Sequence, residues 1–436
     1  MLEFLKRLFL SLSNERGVTL NLATKTTWDA LIPEYWDKAV YDESDRMSIV
    51  SKWTGPDGSD APVLEKMDLT KQKGDKITFG SLQRLIGKGV SGATTLEGAE
   101  ENIAVGSYNV TVELFRHSTA ANAIATAEAL FDFPTTAARK IADWLARFHD
   151  DDMIDQVLNQ ETVTAVTIFA GDATSRANLG PGDLLIPKAL QRSVIGAQRR
   201  GVREFRTLRG GMLPMPVFGA LMSEIDYYNL VDDADFKQDV RLAQVRGDAN
   251  TSISGSIDMY KGTMIWRWSS VNPGDGMTGT FLRPEARLAA AITAAATTAT
   301  AGPTTAVTNV NYWKYFPTTG TNTMLIDEEQ MTYAAAHGDR TSATLTRGTG
   351  GTTAATHSAG ALITLNNVGK VLVFGKNFAL RAWAQKPKRI TQDRDYQFEM
   401  GIGIQWIYEN KAVLNADANP ANYLILETYS PNPSTI

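Results

Sequence analysis

The chain contains no cysteine. Disulfides and thiolate metal sites are therefore excluded, and the composition suits a reducing compartment. Histidine is also scarce. His117, His149, His337 and His357 are the whole set; no pair has zinc-helix spacing, and none lies near a G-x-S-x-G nucleophile turn. No long hydrophobic run is present. The opening MLEFLKRLFLSLSNERG repeats apolar residues at helical spacing (Leu2, Leu5, Leu8, Phe9, Leu12), but Lys6 and Arg7 interrupt it and no A-x-A-like site follows. It is too short to span a bilayer and reads as an amphipathic arm that docks on a partner or a neighbouring subunit. The small, Thr-rich run 289–302 is not lipophilic either. Excess positive charge is missing too: the net charge of −5 makes the protein as a whole a poor polyanion binder.

What is present is ordinary globular material. Hydrophobic residues at 43% and charged residues at 21% supply a sizeable core and exclude global disorder. The 436 residues suggest about two or three domains' worth of structure. Residues 20–72 carry Trp28, Trp36 and Trp53 on a stretch with little regular pattern. They read either as an arm anchored elsewhere or as coil packed on its own core. Residues 73–118 read as a long β-hairpin: KITFGSLQRLI leads out, GKGVSGATTLEGAEENIAVG forms the tip, and YNVTVELFRH returns with strand alternation. The strongest helix is expected over 134–160, begun by Pro134, with Ile141, Trp144, Leu145 and Phe148 on one stripe. Beyond HDDD the apolar positions rotate to Met153, Ile154, Val157 and Leu158, as in a helix crossing two layers. A second helix is expected over 187–201, then a strand in PMPVFGALMS and a helix in DDADFKQDVRLAQVRG. Residues 286–367 change character, from an Ala/Thr-rich lead to short strands separated by Gly turns. They read as a small inserted all-β module, because the flanking stretches continue one theme.

Three clusters invite a chemical reading. GKGVSG (Gly87, Lys88, Gly89, Gly92) matches G-x-G-x-x-G, and Glu113 lies at about the spacing of a ribose-binding acid. Against dinucleotide binding, LQRLI is too polar for a buried parallel strand. Gly98 and Gly106 break up the following segment, and Glu97, Glu100 and Glu101 put negative charge where a pyrophosphate needs positive potential. A Walker loop fails, since Lys88 precedes Gly89 and position 82 is Leu. HDDD (149–152) with Asp155 points around a helix axis, so a solvated face or an intersubunit salt-bridge patch is favoured over a cation site. RRGVREFRTLR (Arg199, Arg200, Arg203, Arg206, Arg209) sets five arginines against one glutamate. It suits either salt bridges to Asp232, Asp233 and Asp235 or non-specific phosphate contact.

The order of segments carries a resemblance. KGDKITFGSLQRLIGKGVSGATTLEGAEE, the return strand ending ELFRH, TTAARKIADWLARF, PKALQRSVIGAQRRGV, PVFGALMSEIDYYNLVDDADF, SGSIDMYKGTMIWRW and GKVLVFGKNFALRAWA together resemble the major capsid proteins of short-tailed double-stranded-DNA phages. The likeness covers most of 25–285 and 368–428; residues 286–367 lie outside it, and their RGTGGTTAATHSAGA looks like small β modules that recur in phage virion proteins. The resemblance implies an α+β chain with the Hong Kong-type phage capsid fold. In that fold an N-terminal arm would be 1–72, an extended loop lapping over a neighbour 73–118, and a peripheral domain with spine helix 134–160 plus part of an axial domain 119–285. The inserted surface domain would be 286–367, with the remaining axial and peripheral strands in 368–436.

It further implies a non-enzymatic subunit without cofactor, assembling into hexamers and pentamers of an icosahedral head in the host bacterial cytoplasm. The implied partners are further copies of itself, packaged double-stranded DNA held without sequence preference, and scaffolding, portal and decoration or cement proteins, with no membrane. The loop residues Gly87, Lys88, Gly89, Gly92, Glu97, Glu100 and Glu101 would make intersubunit contacts, and Trp28, Trp36 and Trp53 would anchor the arm. The Lys–Asn crosslink of some relatives is not carried over: Lys88 lies in the right kind of loop, but no matching Asn or catalytic Glu context accompanies it. The rival readings are a nucleotide-binding enzyme using Gly87–Gly92 and a different virion part, such as a tail or head-completion protein.

Overall fold

The computed structural model describes residues 48–67, 74–122 (apart from 83, 84, 86, 88, 93, 94, 96, 99 and 104), 133–158, 167–207, 215–243, 259–268, 282–302, 313, 316, 321–334, 342–394 (apart from 366), 398–414 and 422–431. The chain divides into two compact units. Helix α1 (Phe133–Leu158) and strands β18 (Ala379–Arg394) and β19 (Glu399–Ala412) contribute residues to both.

The first unit comprises residues 113–148 and 384–408, together with residues up to Ser51. Its strand β5 (Glu113–Asn122) pairs antiparallel with β19, Phe115 opposite Trp406 and His117 opposite Ile404. Pro134 sits in the first turn of α1, where its missing N–H costs no helical hydrogen bond. One face of α1 packs on one face of the sheet. Trp144 and Phe148 meet Trp406 at centroid distances of 5.7 and 5.4 Å, and Phe115 stacks on Trp406 at 5.9 Å. Ile141 and Leu145 are buried on the same stripe. His117 lies flat on Trp144 at 4.0 Å, and its partial burial lowers its pKa.

The second unit comprises residues 52–112, 149–383 and 409–436. Its main sheet has the order β6 (Thr167–Phe169), β20 (Tyr423–Tyr429), β17 (Val368–Phe374), β8 (Met215–Ser223), β10 (Thr263–Trp268), β9 (Met259–Tyr260), with β7 (Phe205–Thr207) on β8. β17 and β20 are interior strands, and their runs VGKVLVF and YLILETY, apolar apart from buried Lys370, Glu427 and Thr428, are buried almost throughout, as expected of strands covered on both faces. Helices α2 (Pro187–Arg199), α3 (Glu224–Asp232) and α4 (Ala234–Ala243) give Leu190, Leu230 and Phe236 to this core. Inside it, the fork of Arg176 grips the buried carboxylate of Glu427.

Helix α3 is absent from the sequence expectation. Its signal is Ser223 followed three residues later by Asp226: Ser223 Oγ accepts the Asp226 N–H at 3.2 Å and donates to its carboxylate at 2.7 Å. The aromatic, strand-prone EIDYYNLV obscures it. A second correction concerns HDDD, which is no solvated face. His149 and Asp150 are buried, His149 edge-on to Trp383 at 5.3 Å, and burial pushes its pKa well below the ordinary value. Asp152 accepts from Asn410 at 2.7 Å, and Asn410 accepts from Arg381 at 3.0 Å. The physical reason is the rotation of the apolar stripe: Met153, Ile154, Val157 and Leu158 are buried in the second unit, which carries the charged turn inward with them.

Residues 285–364 build a separate antiparallel sheet of order β11 (Glu285–Arg287), β16 (Leu362–Thr364), β13 (Thr321–Ile326), β14 (Glu329–Ala334), β15 (Ser342–Thr346), β12 (Thr298–Thr300). It has its own core of Trp313, Phe316, Met324, Ile326, Met331, Tyr333 and Ile363. The Ala/Thr-rich lead takes part in it: Ala299 and Ala301 are buried there.

Candidate functional site

The glycine-rich segment grows out of a two-stranded ribbon. β3 (Lys76–Leu82) pairs antiparallel with β4 (Val105–Thr111), Lys76 opposite Thr111 through Leu82 opposite Val105. The base of the ribbon is anchored by Ile77, Phe79 and Val110, buried against Leu64, Leu380 and Val413. The return limb expected as one strand to residue 118 is instead broken at Val112, whose N–H donates to Asp75 O at 2.9 Å. From Glu113 the chain is β5, paired with β19. Alternation continues across the break, so periodicity alone does not reveal the change of partner.

Beyond the ribbon, Gly89, Gly92 and Gly98 adopt positive φ of 69°, 74° and 85°, a region costly for side chains with a Cβ. The Gly87 N–H donates to Glu101 Oε2 at 2.5 Å. Glu100 accepts from Gly98 N–H at 2.8 Å. Two of the three acidic side chains thus brace the loop's own backbone, while Glu97 is exposed. Lys88 lies outside the described residues. The loop also presents bare apolar groups: Leu85, Val90, Ile103 (58% exposed) and Val105 (73% exposed).

This geometry does not support a nucleotide site. The strand before the glycines belongs to an antiparallel ribbon, and the described residues 95–103 after them are turn and coil, so no helix N-terminus faces an incoming phosphate. The Gly87 N–H that a phosphate would need already holds a carboxylate. Among the described residues, no group of three or more His, Asp or Glu is placed to hold a metal ion, and no helix is long and apolar enough to cross a membrane.

The other candidates separate. Trp53 is buried in the second unit against Trp266 and Phe374, at 5.2 and 4.9 Å, and is a core residue of its own chain. Trp28 and Trp36 lie outside the described residues, as does Arg209. Arg199, Arg200, Arg203 and Arg206 are exposed at and after the C-terminus of α2. Of the acids proposed for them, Asp232 pairs with Lys237 at 2.5 Å, and Asp233 caps α4 by accepting the N–H groups of Asp235 and Phe236.

The feature that sequence reasoning missed is a charge knot in the β11–β16 sheet. Buried Glu329 accepts from Arg347 Nε and Nη2 at 2.9 and 2.7 Å, and from the N–H groups of Gly348 and Ala355 at 3.0 and 2.8 Å. His357 lies between two acids, Nε2 2.9 Å from Glu329 and Nδ1 2.7 Å from Asp327. Arg347 also donates to Thr293 O and Ala355 O. These bonds depress the Glu329 pKa to about 2, the Arg347 pair first among the causes. The signal was the single Arg and His within the otherwise uncharged RGTGGTTAATHSAGA.

Known proteins supply the context for this architecture. A family model described as phage capsid protein matches residues 20–173. The capsid of Ralstonia phage GP4 superposes with a TM-score of 0.56 at 16% identity, over 88% of this chain and 91% of that one. The capsid asymmetric unit of cyanophage Pam1 gives 0.57 at 14% identity, over 89% and 93%. The chain has the fold of a phage capsid subunit. The head structure of Helicobacter pylori bacteriophage KHP40 agrees, at a TM-score of 0.54 and 12% identity over 88% and 91%. No curated protein matches the chain in sequence. Within this fold, the described part of the glycine loop is braced by Glu100 and Glu101 and carries exposed apolar side chains.

Proposed function

We propose that the chain is the shell-forming major capsid subunit of a tailed phage, assembling into hexamers and pentamers around double-stranded DNA. The observation that carries this reading is the likeness to phage capsid subunits over about nine-tenths of both chains. One feature of the chain supports it. A two-stranded ribbon is marginal alone in water, yet this one projects a loop whose apolar residues lack cover within the described chain. Arms and loops of this kind enlarge an interface towards the roughly 2,000 Å² or more of obligate contacts. The remaining assignments belong to the same reading: residues 1–72 as arm, 73–118 as extended loop, α1 as spine helix, and 286–367 as a surface-facing insertion within reach of a cement protein.

Electron microscopy of the purified full chain tests the reading. Closed icosahedral particles are expected; persistent monomers or open tubes would overturn it, tubes pointing to a tail part. Calorimetric titration with ATP or NAD is expected to give no binding heat. The exposed arginines are the segment we assign to the DNA-facing side. Reversing the charge at Arg199, Arg200 and Arg203 is expected to lower genome retention while shells still form, and failed assembly would instead mark a structural role.

A further inference from the structure

We propose that His357 is a proton-operated latch: its doubly protonated ring holds the β13–β14 turn closed through Asp327, and loss of the Nδ1 proton releases that turn. The inference concerns the β11–β16 sheet and does not depend on the shell-subunit reading.

Three segments meet at this ring. His357 pairs with Ile292 through its backbone, each N–H donating to the other's carbonyl at 3.0 Å, which ties the Ala/Thr-rich lead to the loop before β16. Its side chain, only 3% exposed, then reaches the β13–β14 turn, with Nε2 2.9 Å from Glu329 and Nδ1 2.7 Å from Asp327. The charged groups brought to the ring, among the described residues, are these two acids and Arg347 behind Glu329.

The hydrogen bonds fix where the protons are. Each contact between a ring nitrogen and a carboxylate oxygen at such a distance needs a proton. Glu329, with its pKa at about 2, supplies none near neutrality, so Nε2 donates to it. An exposed carboxylate such as that of Asp327 is likewise an acceptor there, so Nδ1 donates as well. Both nitrogens donate only in the imidazolium.

The two bonds are not equivalent. Glu329 is 2% exposed and also holds Arg347, Gly348 N–H and Ala355 N–H, so it has no water to exchange for the Nε2 proton. A ring with one proton keeps it on Nε2. Nδ1 then turns a lone pair towards Asp327, acceptor against acceptor. Asp327 is 55% exposed and can swing into water. Outside the strand ladder, its described tie is then a long backbone bond, N–H to Leu362 O at 3.4 Å, and its φ of 54° is uncommon for a residue other than glycine. The neighbouring loop stays in place, because Thr349 and Thr352 still donate to Gln330 O and Glu329 still holds Gly348 and Ala355. The closed turn needs the proton, so it is favoured at low pH and released as pH rises. Histidine is the side chain whose ordinary titration falls near neutrality, well above the range in which Glu329 changes charge.

The test is hydrogen exchange read by mass spectrometry on the full-length chain at about pH 5.5 and about pH 8.5, either side of the ordinary histidine range, with each rate divided by the intrinsic rate at that pH. Peptides spanning the β13–β14 turn are expected to lose protection at least tenfold at the higher pH, while those of the loop before β16 keep theirs. Asp327→Ala is expected to leave the turn poorly protected at both values. Asp327→Asn is expected to keep it protected at both, because its carbonyl accepts from a protonated Nδ1 and its amide donates to a bare one. Equal protection of the wild-type turn at both values would overturn the inference. A pH dependence that survives in Asp327→Asn would place the responsible proton elsewhere and overturn it too. Loss of protection throughout the β11–β16 sheet at the higher pH would replace the local latch with unfolding of the whole sheet.

Discussion

At the scale of single residues, the buried charges carry the sharpest consequences. Glu329 has its pKa lowered to about 2, so its knot contributes stability above the ordinary carboxylate pKa and loses it as pH falls through the folded value. The β11–β16 sheet is therefore expected to keep its fold in mild acid and to lose the contribution of Glu329 only between about pH 4.5 and pH 2. Near-ultraviolet circular dichroism on acid titration, compared with Glu329→Gln, checks this; an identical acid midpoint in the variant would show that the knot is not responsible. Trp406 is the apolar counterpart. It is fully buried among Phe115, Trp144 and Phe148, and Trp406→Ala is expected to destabilise the first unit by about 3–5 kcal/mol, read by denaturant melts. Trp144 and Phe148 were legible in sequence as a helical stripe. Glu329 was not, because its donors come from residues 18 to 28 positions away and no local pattern announces them.

Elements were legible where local pattern and partner agree. α1 and α2 have proline starts and clear apolar stripes, and both lie where periodicity places them. β17 and β20 declare themselves as short, mostly apolar runs. Failures arose where pattern and partner part company. α3 depends on one cap beneath strand-like residues, and β5 continues the alternation of β4 while joining another sheet. The cap gives a test. Ser223→Ala removes both the acceptor for the Asp226 N–H and one donor to the Asp226 carboxylate, whose burial already raises its pKa. A loss of about 1–2 kcal/mol is expected, with hydrogen exchange accelerating first in α3. Unchanged exchange there would show that packing of Leu230 alone holds the helix.

On the scale of the whole molecule, the sequence yields the fold through segment order rather than through any one motif, and GKGVSG, a weak match to the dinucleotide pattern, sits in a geometry that does not fit a nucleotide site. The loop's own glutamates hold its backbone instead. The β11–β16 sheet is separable by design: Glu285 and Thr364 are paired in register, so the chain enters and leaves it at adjacent positions. Replacing residues 286–363 by a short Gly-Ser linker is expected to leave shells able to assemble, seen by electron microscopy; a chain that no longer folds would place the segment in the main core. That adjacency has a practical side. Ends one strand spacing apart, about 5 Å, match the termini of many small domains, so the position is a cassette. If the chain forms the proposed shell, a foreign module spliced between Glu285 and Thr364 would be carried at one copy per subunit, with a payload count set by the symmetry of that shell.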